Sequence, residues 1–367
     1  MRDKLATTLL ALAGLAAATA AQAQSNVTIY GIVDTAVERL TSGAAGSITR
    51  MPGLTGSLPS RLGFRGTEDL GGGLRAQFVL EMGIGVDTGT FNQGGRGFGR
   101  QSWVGLGGDW GTVSMGRQYS MLYYSLLEAD ILGPNIYGSG SIDNYLPNDR
   151  VDNSVAYRGR FSGFDLGSTY SFGRDTVNAG PSPSGTNCPG ESSTDKPSCR
   201  QWSLMAKYGT ATWGVAAAVD QFKGGAGAFA GLTSSAMSDR RATLNGWVRF
   251  SSDFKLAGGL IDRHNEASAT TPDSKLWFLG AAYNVTPLFV LDGELFKLDY
   301  QNSANGARLL ALRGTYLLSK RTAVYATLGR INNSGTLALS ASNGAAGAAA
   351  VAGGSQTGVA LGIRHAF

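Results

Sequence analysis

Two cysteines and two histidines are the residues of this sequence whose side chains could do the most specific chemistry. Cys188 and Cys199 are eleven residues apart in a polar segment rich in Gly, Pro and Ser. In an exported protein such a pair most often forms a disulfide, and a metal site is the weaker alternative because no histidine lies near. His264 and His365 are far apart, and neither belongs to a recognisable nucleophile motif. Since the sequence also has no phosphate-binding loop and no CxxC pair, we expect no catalysis, no cofactor and no metal.

The placement of the charged residues indicates a different chemistry, the electrostatic handling of ions. The stretch from Arg117 to Arg150 contains no Lys or Arg in its interior, but it has four carboxylates and five tyrosines. These residues are Glu128, Asp130, Asp143, Asp149, Tyr119, Tyr123, Tyr124, Tyr137 and Tyr145. Arginines lie on both sides of the stretch, among them Arg61, Arg65, Arg100 and Arg158. Opposite charges across a narrow, water-filled gap would create a transverse field that orients dipolar solutes and biases ion passage.

The same stretch is too long and too apolar for an ordinary surface connection. Loops of this length are uncommon in compact domains and are usually functional or disordered. Its apolar run SMLYYSLLEADILG predicts packing against a partner surface rather than exposure to water. We therefore expect the stretch to pack inside the sheet that the flanking segments build.

Alternating segments punctuated by glycine flank this stretch and predict β-strands. The hairpin SRLGFRGTEDL–LRAQFVLEMG illustrates the two faces. One face is apolar, with Leu62, Phe64, Leu74, Phe78, Leu80 and Met82, and the other is polar, with Arg61, Arg65, Thr67, Arg75, Gln77 and Glu81. A water-soluble barrel would bury the apolar face, whereas a membrane barrel turns it outward to lipid.

The number and spacing of the strands favour the membrane barrel. We count sixteen strands of about ten residues, joined alternately by seven short turns and eight longer connections, which suits tilted membrane crossings. An even number puts both termini on the short-turn side, so the first and last strands can close the barrel. The last strand alternates toward one face and ends on an aromatic residue, with Val359, Leu361, Ile363, His365 and Phe367. No later stretch has eighteen consecutive apolar residues, so no transmembrane helix competes.

The N-terminus predicts a secretory signal peptide over residues 1–23. A short basic region precedes an apolar run from Leu5 to Ala20, and Ala21-Gln22-Ala23 supplies the cleavage pattern. A retained membrane anchor is the lesser alternative, since the run is short and rich in alanine. The remaining residues, 24–367, have no Pro- or Ser-rich linker and form one predicted barrel domain. The net charge of +5 is mild for this length, so we expect no nucleic-acid partner.

Several segments together resemble the general porins of the Gram-negative outer membrane, in their sixteen-stranded, trimeric branch. These are NVTIYGIVDTAVE, SRLGFRGTEDLGGGLRAQFVLEMG, FGRQSWVGLGG, GTVSMGRQYS, NSVAYR, SGFDLGSTYSFG, LLSKRTAVYATLG and the ending GIRHAF. The resemblance covers essentially the whole mature chain. It implies a homotrimer in the outer membrane, among lipid and lipopolysaccharide, with a water-filled channel for ions and small hydrophilic solutes. It also implies that a third extracellular loop, matching residues 117–150, folds into the barrel and narrows it.

The resemblance extends to the residues expected at the pore constriction. Similar porins place arginines there at positions matching Arg61 and Arg100, and a third position falls near Ala156 or Arg158. Arg65 would extend the same wall, and Glu128 and Asp130 on the loop would face it. An arginine-rich wall predicts a weak anion preference, which the loop acids would partly offset.

Two rival functions remain open at this point. A substrate-specific channel would use the loop tyrosines as an aromatic slide, although they can equally pack the loop onto the wall. A barrel that binds partners at the cell surface would use its long loops, which are rich in Gly and Ala and weakly charged. The tryptophans Trp103, Trp110, Trp213, Trp247 and Trp277 are expected in a lipid-facing interface belt.

Overall fold

The structure is a computed structural model, and it describes residues 26–175, 187–228 and 231–367. The predicted signal peptide, residues 1–23, lies outside these ranges, so its cleavage stays a prediction. Residues 176–186 and 229–230 also lie outside them.

Nearly all of the regular structure is β-strand. In chain order the strands are β1 (Asn26–Gly43), β2 (Gly46–Arg50), β3 (Arg61–Gly71), β4 (Leu74–Gly85), β5 (Thr90–Phe91), β6 (Gln101–Gly108), β7 (Gly111–Tyr119), β8 (Arg150–Phe161), β9 (Phe164–Ser171), β10 (Gln201–Gly209), β11 (Trp213–Lys223), β12 (Ser238–Arg249), β13 (Phe254–Asn265), β14 (Asp273–Thr286), β15 (Phe289–Tyr300), β16 (Gly306–Leu317), β17 (Thr322–Ser334) and β18 (Ser355–Ala366). The two short strands β2 and β5 belong to long connections, and the other sixteen form the wall. Every pairing is antiparallel. The sixteen wall strands and their antiparallel order confirm the predicted strand number and fold class.

The first and last wall strands close the barrel. Residues 32–41 of β1 pair with residues 357–366 of β18 in an unbroken register. Closure satisfies the backbone groups that an open edge would leave unpaired, as a membrane requires. Short turns join the strands at one end of the barrel and long connections at the other, which places the long connections on the extracellular side.

The apolar face of the wall points outward, as predicted for a membrane barrel. Ile29, Val104 and Leu361 on three different strands are 61, 61 and 63% exposed. Their neighbours in sequence point into the lumen, where polar groups such as Asp34, Glu81 and Asp220 are found. None of the described helices has the length and apolar character that a membrane crossing requires.

Two predicted members of the tryptophan belt face the lumen instead. Trp213 and Trp277 are outward and about half exposed. Trp103 lies opposite Val79 on the inward face, and its Nε1 donates to Gln101. Trp247 is also inward and donates from Nε1 to Glu128. The belt expectation was wrong for these two because strand alternation, not residue type, decides which face a side chain occupies.

The connection from Ser120 to Asp149 folds into the barrel, as the apolar run predicted. We call this segment the inner loop. The described residues contain three short α-helices, α1 (Asn92–Gly95), α2 (Met121–Leu126) and α3 (Ser139–Ile142), and one 3-10 helix (Leu146–Asn148). The Ser120 hydroxyl caps α2 by accepting from the backbone N–H of Tyr123. Leu122, Ile136 and Tyr137 are fully buried against the wall, so the main apolar core lies inside the barrel, between the inner loop and the wall strands.

The predicted disulfide is present. Cys188 and Cys199 are joined with an S–S distance of 2.00 Å. Both are buried, and the Cys199 carbonyl accepts from the backbone N–H of Arg174. The disulfide therefore ties the extracellular connection between β9 and β10 to the top of the wall.

Candidate pore constriction

The inner loop is held to the wall at both ends and in the middle. At its start, the Met121 N–H donates to Ser203 Oγ at 2.9 Å. In the middle, the Leu132 N–H donates to the Glu294 carboxylate at 2.8 Å. Near its end, the Tyr145 hydroxyl donates to Asp220 at 2.9 Å. These anchors on β10, β15 and β11 hold the loop across the lumen and leave a narrowed passage beside it.

Two carboxylates near the end of the inner loop are fully buried but differ in charge. Arg241 Nε lies 2.8 Å from Asp143 Oδ2, and a second bond of 3.1 Å joins Nη2 to Oδ1. Burial alone would raise the pKa of Asp143, but Arg241 overcomes that effect and lowers the pKa to about 2. Burial, together with the nearby Asp220 carboxylate, raises the pKa of Asp149 to about 8. Asp143 therefore forms a permanent ion pair, whereas Asp149 holds a proton near neutral pH.

A cluster of arginines faces the passage beside the loop. The cavity there is lined by Arg61, Arg100, Arg150, Arg313 and Arg364. Asp130 is the only carboxylate among the described residues that line it. The constriction therefore has an excess of positive charge.

Arg61 and Arg364 make no ion pair shorter than 3.9 Å among the described residues, so their charge is less neutralised than that of Arg100. They lie on β3 and β18, on either side of β1. Arg61 is 3.9 Å from Glu81, a long ion-pair distance. Arg364 lies opposite Asp34 in the register of β1 and β18, and it donates at 3.0 Å to the Ser57 hydroxyl, which itself donates to Asp34. Arg313 lies on β16 and is partly neutralised by Asp292 at 2.8 Å.

Arg100 has a different role from Arg61, although both were predicted at the constriction. Its side chain is 2% exposed, and its Nε lies 2.7 Å from Glu81 Oε1. Its Nη2 donates to the Tyr119 hydroxyl at 2.7 Å, and Arg150 donates to the same hydroxyl at 3.2 Å. Arg100 is thus a neutralised support under Tyr119 rather than a free charge on the pore surface.

Arg65 and Arg158 face the lumen on the periplasmic side of the constriction. Arg65 lies opposite Thr28, four residues below Arg61, with its guanidinium 5.3 Å from the centre of the Tyr30 ring. Arg158 stacks on Tyr124 at 3.9 Å and pairs with Asp165 at 3.1 Å. Both belong to the channel lining but not to the arginine cluster.

The two predicted acids both fasten the loop, and Asp130 also lines the cavity with the arginines. Glu128 Oε2 lies 3.4 Å from Lys207 Nζ on the wall that carries the inner loop. Asp130 is turned into the loop, where it accepts from Ser139 Oγ at 2.6 Å and from the Gly133 N–H at 2.8 Å. Burial raises the pKa of Asp130. Both carboxylates are therefore used to fasten the loop, and their role at the constriction stays a prediction.

Comparison with known proteins identifies the family. The family model described as Gram-negative porin matches residues 6–336. This chain belongs to the Gram-negative porin family. Among its relatives is outer membrane porin protein 32 of Delftia acidovorans, 35% identical over 98% of this chain and 99% of the relative.

Solved structures agree with that assignment. An anion-selective porin from Comamonas acidovorans superposes with a TM-score of 0.76 and 29% identity, over 94% of this chain and 100% of that one. The trimer form of OmpT from Vibrio cholerae has a TM-score of 0.62 at 16% identity, over 94% of this chain and 99% of that one, a likeness of fold alone. The protein is an outer-membrane general porin, and porins are channels rather than enzymes.

Sequence reasoning missed three arginines of the porin's constriction. Arg150 was taken as a boundary of the long stretch, and Arg313 and Arg364 were not singled out. The available signal was alternation: Arg364 lies between outward-facing Ile363 and His365, and so it must point inward. The proximity of the three arginines to Arg61 could not be predicted from local sequence, because they lie on β8, β16 and β18.

A second basic group of the porin lies at the foot of the inner loop. Lys207 and Lys255 both bond to the loop at Glu128, through its carboxylate and its backbone carbonyl. This group was also missed.

Proposed function

We propose that this porin is a weakly anion-selective channel that works as a homotrimer surrounded by outer-membrane lipid and lipopolysaccharide. The observation that carries the selectivity is the arginine cluster, in which Arg61 and Arg364 face the passage and the nearby acids are neutralised or turned away. A positive ring of this kind attracts small anions and repels cations while passing hydrophilic solutes in general.

The substrate-specific alternative is less well supported. An aromatic slide needs exposed rings, but Tyr119 is 5% exposed and stacks on Tyr123 with ring centroids 4.1 Å apart. Arg100 and Arg150 hold the Tyr119 hydroxyl from behind. Tyr119 therefore joins the inner loop to the wall rather than guiding a solute.

Two observations support the trimer. A porin of the same fold is described in a trimer form. The outward residues of β4 and β6, such as Phe78, Leu80, Val104 and Leu106, are apolar, and neither strand has an outward Lys or Arg. Such a face suits contact with a second copy. Chemical cross-linking of purified porin should give a threefold ladder, and a ladder that stops at two would contradict this.

The selectivity is tested by the reversal potential in a planar bilayer under a salt gradient. We expect the wild type to favour anions and Arg61→Gln or Arg364→Gln to lower the anion-to-cation permeability ratio about two- to fivefold. A unit charge about 4–8 Å from an ion in water contributes about 0.5–1 kcal/mol, with opposite sign for an anion and a cation, and screening by the salt reduces the combined effect to that range. Arg39→Gln is the matched control, since Arg39 lies opposite outward-facing Val359. A cation-selective wild type, or equal shifts in all three variants, would refute the proposal.

A further inference from the structure

Cations also line the outside of the barrel, at the extracellular ends of β15, β16 and β17. Lys297 lies directly opposite Arg308 in the register of β15 and β16. Arg330 lies opposite Leu310 on the next strand, one outward position below Arg308. These positions are outward because Leu295 and Leu310, two residues along the same strands, are 48 and 50% exposed.

The height of these cations places them at the boundary of the membrane. Lys297 lies nine residues above Leu288 in the periplasmic turn, and Arg308 lies ten residues before Leu318. With a rise of about 3.3 Å per residue and a tilt of about 45°, these spans are about 21–23 Å, close to the ~25 Å apolar band of such barrels. Lys297 and Arg308 are therefore at the level of the outer-leaflet head groups.

The side chains of Lys297 and Arg308 both have hydrogen-bond donors available for a ligand. Arg308 is exposed, and no ion pair or hydrogen bond of its side chain occurs among the described residues. Lys297 pairs with Asp299 at 2.7 Å, but both side chains are about half exposed, so the pair is weak. The ammonium keeps two further donors, and the Arg308 guanidinium offers a planar fork suited to a phosphate.

An apolar groove begins at Lys297 and runs down the outward face of β12–β15. Gly246 and Gly258 form its floor, Leu244, Trp277 and Leu279 form its rim, and its volume is about 860 Å³. The floor is low because these two positions have no side chain, whereas the rim residues are 50–62% exposed. A groove of this size accommodates an acyl chain.

We propose that Lys297 and Arg308 bind a phosphate of lipid A in the outer leaflet while one acyl chain of the same molecule lies in the groove. This inference rests on the proposed lipopolysaccharide surroundings of the porin. Lys297 belongs both to the basic pair and to the lining of the apolar groove. One amphipathic anion can therefore contact the cations with its phosphate and the groove with its acyl chain. The extracellular height selects lipid A over a phospholipid of the inner leaflet, although both carry phosphate.

The test compares lipid binding by three proteins in detergent: the wild type, Lys297→Gln/Arg308→Gln, and Lys320→Gln/Arg321→Gln. The last pair removes two charges from the periplasmic turn between β16 and β17 and serves as the matched control. The probe is diphosphoryl lipid A, with dephosphorylated lipid A and phosphatidylglycerol as comparisons. Bound lipid per trimer is measured by native mass spectrometry over a range of lipid concentrations.

We expect the Lys297/Arg308 variant to bind diphosphoryl lipid A about 30-fold more weakly, about fivefold for each cation near an anionic surface. The control should bind like the wild type, and the swap Lys297→Arg/Arg308→Lys should restore most of the affinity. Trp277→Ala should weaken binding through the groove without changing the preference for phosphate.

Three outcomes would overturn the proposal. They are equal binding by the Lys297/Arg308 variant and the wild type, an equal loss in the control, and wild-type binding of dephosphorylated lipid A or phosphatidylglycerol as tight as that of diphosphoryl lipid A. Conductance of the same samples keeps the two proposals separate. A wild type that does not conduct contradicts the channel proposal, whereas unchanged lipid binding in a conducting variant contradicts this site.

Discussion

At the scale of single residues, an arginine on the inward face does not necessarily expose its charge to the channel. Arg61 and Arg100 both line the constriction, but Arg100 is 2% exposed and lies 2.7 Å from Glu81. Glu81 also accepts from the Tyr30 hydroxyl at 3.0 Å. It therefore supplies the counter-charge that allows Arg100 to be buried beneath Tyr119.

Replacing Glu81 should destabilise the barrel more than it changes the pore. Glu81→Gln leaves the Arg100 guanidinium buried without a carboxylate, which costs about 3–5 kcal/mol when one partner of a buried pair is lost. The free energy of unfolding in urea, measured in detergent, checks this. Arg65→Gln is the control, because Arg65 is exposed in the lumen and should change stability by less than about 1 kcal/mol. Equal effects in the two variants would contradict the support role of the pair.

At the scale of elements, the inner loop is held by charges whose state depends on pH. The pKa of Asp149 is raised from 3.8 to about 8 by burial and by Asp220, so the folded loop retains a proton that the unfolded chain releases. A raised carboxyl pKa contributes stability at low pH, and this contribution is lost as the pH rises from about 4 to about 8. Asp143, with a pKa of about 2, acts in the opposite direction, but only as the pH falls below about 4.

Asp149→Asn should therefore flatten the dependence of stability on pH between about 4 and 8. The asparagine cannot lose a proton, so the wild-type decline becomes shallower by the part due to Asp149, while the part due to Asp130 remains. Thermal unfolding in detergent at several pH values measures it. Asp165→Asn, which changes a partly exposed carboxylate on the wall, provides the comparison. An unchanged slope in Asp149→Asn would show that this carboxyl is not the titrating group.

The disulfide element contributes stability rather than conduction. Cys188→Ser with Cys199→Ser opens a short extracellular loop and should lower the free energy of unfolding by roughly 2–3 kcal/mol. Single-channel conductance should stay unchanged, because the pair packs at the top of the wall and does not line the constriction. Reductant should reproduce the loss in the wild type and have no effect on the double variant. A changed conductance would mean that this connection also shapes the pore.

At the scale of the whole molecule, the barrel depends on the junction between its two ends. The Gly31 N–H donates to the Phe367 carbonyl at 3.2 Å, and the Phe367 N–H donates to the Gly31 carbonyl at 3.1 Å. A Cβ on Gly31 would lie 2.3 Å from the Phe367 ring, so only glycine allows that ring to cover the junction. The last residue thus completes the ladder that β18 makes with β1.

Deleting Phe367 should lower the thermal unfolding midpoint of the folded barrel. The deletion removes two backbone hydrogen bonds at the junction and exposes the edge of β1 to lipid. Phe367→Tyr keeps the ring and the backbone and should behave like the wild type. Heat-modifiable mobility on gels gives the midpoint, and a deletion variant as heat-resistant as the wild type would contradict this role.

Most of the fold could be predicted from the sequence, but only part of the constriction. Strand alternation, the two kinds of connection and the apolar run of the inner loop are local properties, and they correctly indicated a closed sixteen-stranded barrel with a loop inside. Alternation also placed Arg61, Arg65, Arg100 and Arg158 on the inward face. It was the use of residue type instead that misplaced Trp103 and Trp247.

The sequence by itself therefore determined which way each side chain points, because a strand reverses its faces at every residue. The tertiary structure alone decided which inward charges meet water and which meet each other. Barrel closure brings Arg364 to one side of β1 and Arg61 to the other, and folding of the loop brings Arg150 beside them. Whether such a charge acts on a passing ion depends on partners distant in the chain, such as Glu81 for Arg100. Local sequence patterns do not show which distant residues come into contact.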